Sequence, residues 1–242
     1  MSSRAAVTAV IAAAGSGERL GAGGPKAFVP LAGRPMVEWS IEAFRATGSV
    51  ASIVVACPPG YGREFGEGLI VLDGGATRAE SVANALAAVE TDLVAIHDAA
   101  RPLLTPALVE AIVALLDADP GAAGAIAATP VTDTIKRVAA VEGPGGDAKP
   151  AFRSSGNPNA GFVIEATEGR ARLWAAQTPQ VFRAEALRAA LDVEPAVRDA
   201  ATDEAMLVEA AGGRVLIHPS SPRNLKVTTP LDLDLAELLL AE

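Results

Sequence analysis

Cysteine is nearly absent from this sequence: Cys57 stands alone among 242 residues. A single thiol excludes an intramolecular disulfide and any multi-cysteine zinc site, and it fits a reducing, cytoplasmic setting. Histidine is almost as scarce. His97 and His218 both lie in or beside apolar runs, where packed or edge positions account for them without chemistry. Aromatic residues make up only 4% of the chain, which suits thin, closely packed helix–sheet layers better than a stacking platform for ligands. No apolar run is long enough to span a bilayer. The opening "MSSRAAVTAVIAAAGSG" has the outline of a signal peptide, but its apolar run ends in a glycine loop followed by charges and reads as a buried strand.

Positive charge is also in short supply, with 20 Lys and Arg against 29 Asp and Glu, a net charge of −9. That balance argues against a nucleic-acid binder, whose affinity comes from clustered cations. An acidic protein that handles anions must gather its few cations locally. Arg19, Lys26, Arg101 and Lys226 are the candidates for such a cluster.

What is present is apolar: half of the residues, enough for a sizeable core. Short apolar runs at 6–13, 50–57, 69–75, 92–97 and 121–130 alternate with helical patterns at 35–46, 77–89 and from Pro106. Near-continuous apolar strands separated by helices predict an α/β fold with a mostly parallel, Rossmann-like sheet and helices on both faces. Thr77, followed by Glu80 at capping-box spacing, opens one helix, and Thr105 with Pro106 opens another. The run "VTDTIKRVAAV" alternates like an exposed ribbon, and residues 142–161, rich in Gly, Pro, Ser and Asn, read as a protruding tip. Further helices are expected near 183–191, 201–211 and from Pro230.

Three places could carry chemistry. The loop "AAAGSGERLGAGGPKAF" (12–28) holds Gly15, Gly17, Gly21, Gly23 and Gly24, yet it fits neither the dinucleotide fingerprint nor the ATPase phosphate loop, since Leu20 replaces a glycine and Ala27 follows Lys26. Backbone N–H groups at a strand exit still suit an anion, with Arg19 and Lys26 adding charge. The second place is "IHDAARP" (96–102), where Asp98 ends a strand on the sheet edge at which ligands collect and is a candidate magnesium ligand. The same spacing also fits an Asp98–Arg101 surface pair bracing a loop. The third is "NLKVTTPLDL" (224–233), where Lys226 stands before a Pro-started helix and could equally be solvated. In "TDEA" (202–205), Asp203 and Glu204 fit the first turn of a helix and need no further role.

In chain order, "AAAGSGERLG…PKAF", "VLDGG…R…SV", "IHDAARP", "TPVTDTIKR", "LWAAQTPQVF", "TDEA" and "NLKVT" resemble the 2-C-methyl-D-erythritol 4-phosphate cytidylyltransferases of the non-mevalonate isoprenoid pathway. The resemblance covers nearly the whole chain. Ribitol-5-phosphate cytidylyltransferases are the nearest alternative, but they tend to carry "HDSVRP" where this chain has "HDAARP". A catalytically silent nucleotide-binding protein of the same fold is the other.

The resemblance implies a single nucleotidyltransferase domain over 1–242, with an arm at about 131–172 exchanged in a homodimer. It implies CMP transfer from CTP to the polyol phosphate with Mg2+, and no nucleic-acid or membrane partner. By its residues, Ala13, Ala14, Gly15, Gly75 and Ser81 correspond to the cytidine pocket, and Arg19 and Lys26 to the catalytic pair on the triphosphate. Asp98 matches the metal and substrate position, with Arg101 and Lys226 on the substrate side. Thr134 and Arg170 of the partner's arm would hold the substrate phosphate, with Arg172 close enough to compete for the second role, and Thr178 and Thr202 are further candidates. Ala76 stands where many members place a polar residue.

Overall fold

The computed structural model describes residues 6–15, 24–61, 65, 67–140 and 162–241. The chain divides into two compact units, Met1–Thr129 with Ala176–Glu242, and Pro130–Ala175. In order, the elements are β1 (Val7–Ala12), β2 (Pro30–Leu31), β3 (Arg34–Pro35), α1 (Met36–Arg45), β4 (Val50–Cys57), β5 (Ile70–Asp73), α2 (Arg78–Leu86), β6 (Leu93–Asp98), α3 (Pro106–Asp117) and β7 (Gly124–Pro130). There follow β8 (Lys136–Ala140), β9 (Phe162–Thr167), β10 (Trp174–Arg183), α4 (Ala184–Leu191), α5 (Pro195–Ala200), α6 (Glu204–Ala210), β11 (Val215–Pro219) and α7 (Pro230–Leu240).

Seven strands form one sheet in the order β11-β7-β10-β6-β1-β4-β5. β1 runs parallel to β4 and β6, β5 parallel to β4 and β11 parallel to β7, while β10 is antiparallel to β6. Successive side chains of a strand point to opposite faces, and both faces here are apolar. Val7, Ala9, Ile11, Leu93 and Ala95 pack with Val37, Ile41 and Phe44 of α1 and with α3. Val10, Val94 and Ile96 pack with α2, α4 and α6. Each such side chain, fully buried, contributes about 1.5–3 kcal/mol. The fold is therefore the mostly parallel α/β sheet, covered on both faces, that the apolar runs predict. Among the described residues no helix is long and apolar enough to cross a membrane.

The helix starts follow their capping residues. Thr77 Oγ1 accepts from Glu80 N at 3.0 Å, but Glu80 reaches one residue further back than a capping box would, to Ala76 N at 2.7 Å. Thr105 caps α3, with Pro106 in its first turn. α7 has a complete capping box, Thr229 with Asp232. Two elements depart from the sequence expectation. β10, Trp174–Arg183, is a strand outside the apolar runs read from the sequence, and α5 forms between the two expected helices.

The second unit contains the exposed ribbon. β8 pairs antiparallel with β9, from Lys136 opposite Thr167 to Ala140 opposite Phe162. The expected tip at 142–161 lies outside the described residues.

The sheet order also fixes where a ligand can sit. From β1 the chain adds β4 and β5 on one side, then returns to place β6 on the other. In open α/β sheets, the carboxyl-end crevice at such a reversal is where ligands bind. Here it opens between Ala12 of β1 and Asp98 of β6, which are register partners.

Candidate active site

The exits of four strands are stitched together at one level. Ala12 is flanked by Asp98 on β6 and by Ala56 on β4. Ala13 N donates to Ala56 O at 2.8 Å, Ala99 N to Ala12 O at 3.1 Å, and Gly74 N to Cys57 O at 2.8 Å. The glycine loop and "HDAARP" thus share one edge, as the strand pattern predicts. Lys26 N donates to Gly15 O at 3.3 Å, which brings the two ends of the loop together at β1. Lys26 opens a single 3-10 turn, Lys26–Phe28, right after that neck. Residues 16–23, Arg19 among them, lie outside the described residues.

The opposite wall of the crevice needs bare backbone. A Cβ on Gly74 would lie 2.4 Å from the Ala14 side chain, and one on Gly75 would lie 2.3 Å from Glu80. Of the residues matched to the cytidine pocket, Ala13 is buried and Gly15 is exposed. Ser81 is buried, and its hydroxyl accepts from Gly75 N at 3.0 Å while donating to Thr77 O at 2.9 Å. It fixes the Gly75 backbone to the start of α2. The amide of Ala76 is already taken by Glu80.

Beside these loops lies a chain of alternating charges. Asp98 Oδ1 accepts from Arg78 Nε at 2.9 Å and Oδ2 from Lys226 Nζ at 2.6 Å. Arg78 Nη1 donates to both oxygens of Glu204, at 2.6 and 2.8 Å. Burial alone would raise the Asp98 carboxyl, but Arg78 and Lys226 overcome it and hold the group well below the usual carboxylate range. Burial likewise opposes the charge on Arg78, and its two carboxylate partners outweigh that. Three expectations change here. Asp98 does not pair with Arg101. Lys226 is ion-paired, not merely solvated. Glu204 does open the first turn of α6, as expected, but it is 1% exposed and also bridges to Arg78, while Asp203 is the cap that accepts from Met206 N.

Arg101 does something else. Its Nη1 donates to Asn224 O at 2.7 Å and its Nη2 to Ala176 O at 3.3 Å, so a buried guanidinium ties the 224–227 segment to β10. Asn224 Nδ2 completes the tie, donating to Gln177 Oε1 at 3.0 Å and Thr178 O at 2.8 Å. Val227 N donates to Ala100 O at 2.8 Å, which sets "NLKVT" alongside "DAARP". These two bonds use one hydrogen of each terminal nitrogen and hold the segment that carries Lys226.

His97 supports the same edge from inside. Its Nε2 lies 3.1 Å from Arg101 O, a carbonyl that can only accept, so Nε2 carries the proton. Nδ1 then accepts from the Thr178 hydroxyl at 3.0 Å, whose oxygen accepts from Asp98 N at 3.1 Å. The ring is neutral, and burial lowers its pKa to about 4. Between that value and about 6.5 the unfolded chain binds a proton that the folded chain refuses, so stability is lost as pH falls through this window. The expected loss is about 3 kcal/mol. Urea unfolding at about pH 7 and about pH 4.5 should show it, and His97→Gln, which keeps one donor and one acceptor, should abolish most of the dependence.

In the second unit, Thr134 is exposed. Arg170, in the turn Arg170–Arg172, donates through Nη1 to Thr132 O, two residues from Thr134. Arg170 and Thr134 therefore belong to one neighbourhood. Thr202 Oγ1 lies 3.9 Å from Met206 Sδ, and Thr178 is buried under the site.

Among the described residues, the carboxylates of this site are already paired. Both Asp98 oxygens already face cations, and Glu204 is occupied by Arg78. Among the described residues no group of three or more His, Cys, Asp or Glu could hold an ion. A magnesium ion at Asp98 would have to displace Lys226 or Arg78 from that carboxylate. A cavity of about 700 Å3 lined by Trp39, Leu103, Leu104, Leu240 and Asn224 touches the network only at Asn224.

A glycine loop and a charge cluster at the switch point of a largely parallel sheet define an α/β nucleotidyltransferase. The sequence model of 2-C-methyl-D-erythritol 4-phosphate cytidylyltransferase matches residues 7–143 and 154–242. A protein of that name from Ralstonia nicotianae is 41% identical over 250 residues, spanning 96% of this chain and 91% of its own. Another from Frankia casuarinae is 43% identical over 242 residues, spanning 97% and 81%. The crystal structure of 2-C-methyl-D-erythritol 4-phosphate cytidylyltransferase from Thermus thermophilus superposes with a TM-score of 0.76 at 33% identity, covering 98% of this chain and 100% of that one. The chain belongs to the 2-C-methyl-D-erythritol 4-phosphate cytidylyltransferase family.

Proposed function

We propose that the protein transfers CMP from CTP to 2-C-methyl-D-erythritol 4-phosphate, giving 4-diphosphocytidyl-2-C-methyl-D-erythritol and pyrophosphate for isoprenoid precursor synthesis. The observation that carries this reading is the register of Ala12 beside Asp98, which sets the glycine loop and the Asp98–Lys226 pair on one strand-end edge in a chain of this family.

A phosphate oxygen of the acceptor attacks the α-phosphorus of CTP in line. One P–O bond forms, the bond to the β-phosphate oxygen breaks, and pyrophosphate leaves. The nucleophile is already anionic and needs no base. That agrees with His97, whose nitrogens are both engaged, and with the buried Cys57. Catalysis is then positioning and charge neutralisation at the α-phosphate. Lys26 and Arg19 take that role on the nucleotide, and Lys226, held by Asp98, faces the acceptor phosphate. Magnesium enters as part of the nucleotide substrate, carried by the triphosphate. The setting is cytoplasmic.

The protein acts as a homodimer whose exchanged arms complete each site. Support comes from the second unit itself, where Ile135, Val138, Phe162, Val163, Ile164 and Trp174 are all exposed, more apolar surface than a two-stranded ribbon would leave to water. Thr134 and Arg170 of the partner would then hold the acceptor phosphate. Arg170→Ala is expected to raise KM for the polyol phosphate about 10- to 100-fold, the range for losing a charged hydrogen bond, while KM for CTP holds. Equal losses for both substrates would argue against this placement.

The reading as a whole is tested by pyrophosphate release from CTP. Methylerythritol phosphate should support turnover, whereas ribitol 5-phosphate and an acceptor-free control should not. Preference for ribitol 5-phosphate would reassign the acceptor, and silence with both would leave only nucleotide binding.

A further inference from the structure

Glu204 is buried more deeply than a helix-start carboxylate needs to be. It is 1% exposed, and both oxygens lie on one nitrogen of Arg78. Burying ions is expensive, and an apolar pair of similar volume often holds a fold as well or better. Stability alone therefore gives little reason for the pair. Its position gives more. Glu204 begins α6, Arg78 begins α2, Asp98 ends β6, and Lys226 lies in the segment tied to Ala100. Side-chain exposure along the series is 1%, 30%, 11% and 41%, so the chain of charges starts in the core and ends at the surface with Lys226.

We propose that Glu204 and Arg78 are positioning residues for the transfer: Glu204 holds the Arg78 guanidinium so that it takes only one oxygen of Asp98, leaving the other to aim the Lys226 ammonium at the acceptor phosphate. This rests on the reading of Lys226 as the acceptor-side lysine. The physical reason is the habit of arginine. A guanidinium with a single carboxylate partner takes both oxygens side by side. With Glu204 in place, Arg78 is divided, Nη1 to Glu204 and Nε to Asp98 Oδ1, and Oδ2 remains for Lys226 at 2.6 Å. Without the Glu204 charge, Arg78 closes on Asp98 through both oxygens and competes directly with Lys226.

Glu204→Gln, which keeps the shape and removes the charge, tests this. The expected result is a rise of about tenfold in KM for the polyol phosphate, or an equal fall in kcat/KM for it, with KM for CTP within about twofold. Arg78→Lys keeps the charge but lacks the planar fork, and should show the same split. The deciding measurement is a double-mutant cycle with Lys226→Ala. If Glu204 acts through Lys226, Glu204→Gln adds little once Lys226 is gone. Full additivity, or unchanged constants per folded molecule with a lowered melting temperature, would reduce Glu204 to a structural ion and overturn the proposal. A readout without turnover separates this from the function itself. The 15N resonance of the Lys226 ammonium should move in Glu204→Gln even if methylerythritol phosphate proves not to be the acceptor, and an unmoved resonance would also overturn the proposal.

Discussion

In Asp98→Asn the unfolding free energy is expected to fall by about 3 kcal/mol and turnover to fall with it, by about 10²-fold or more. The carboxylate accepts from two cations through different oxygens, Arg78 at 2.9 Å and Lys226 at 2.6 Å. An asparagine keeps one acceptor and turns an NH2 group toward the other donor, so one ion pair becomes a donor facing a donor. Breaking a buried pair costs about 3–5 kcal/mol, and the low end applies because the cations retain water. Arg78 is 30% exposed and Lys226 is 41% exposed. Activity should suffer beyond stability, since Lys226 loses what aims it. Urea midpoints and steady-state rates at a temperature where both proteins are folded separate the two effects. A variant that keeps wild-type turnover would remove Asp98 from the mechanism.

The second large effect belongs to Lys26→Ala, for which kcat should drop about 10²-fold or more, as when one preorganised donor to a developing negative charge is lost. Urea midpoints measured alongside separate this loss from any change in stability. The Lys26 backbone amide, which holds the loop neck through Gly15 O, is kept in the variant. The same loss is expected for Arg19→Ala. Measuring kcat at saturating CTP and acceptor distinguishes a transition-state role from ground-state binding, which would appear in KM alone. Near-normal turnover in both variants would take the glycine loop out of the chemistry.

The strands at the heart of the sheet are legible because they are apolar on both faces. "AVTAVIAA", "VASIVVAC" and "DLVAIH" read only as buried strands, and the end of the last one locates Asp98. The caps Thr77 and Thr105 are legible because capping is local. β10 is obscured because Gln177, Thr178 and Gln180 interrupt its apolar pattern, and each is buried only because its partner comes from elsewhere, such as Asn224, His97 and Asp203. The same holds for the charge chain. Lys226 meets Asp98 across 128 positions and Arg78 meets Glu204 across 126, separations at which no periodicity speaks. Glu204 follows a cap and looks exposed by rule, and only the packing of α6 shows that it is not. The burial of Arg101 is equally hidden, because a strand-end arginine usually faces solvent, whereas here the carbonyls of Asn224 and Ala176 accept from it.

The place of β10 in the sheet bears on how the chain is made. β6 and β7 are consecutive in the first unit, yet they do not pair, because β10 lies between them. As the protein emerges from the ribosome, β1, β4, β5 and β6 can assemble early. β6 then presents an open edge until the whole of 130–175 and then β10 have been synthesised. Open edges template mispairing, and pairings distant in sequence form slowly. The segment 130–175 is thus also a delay built into the birth of the sheet.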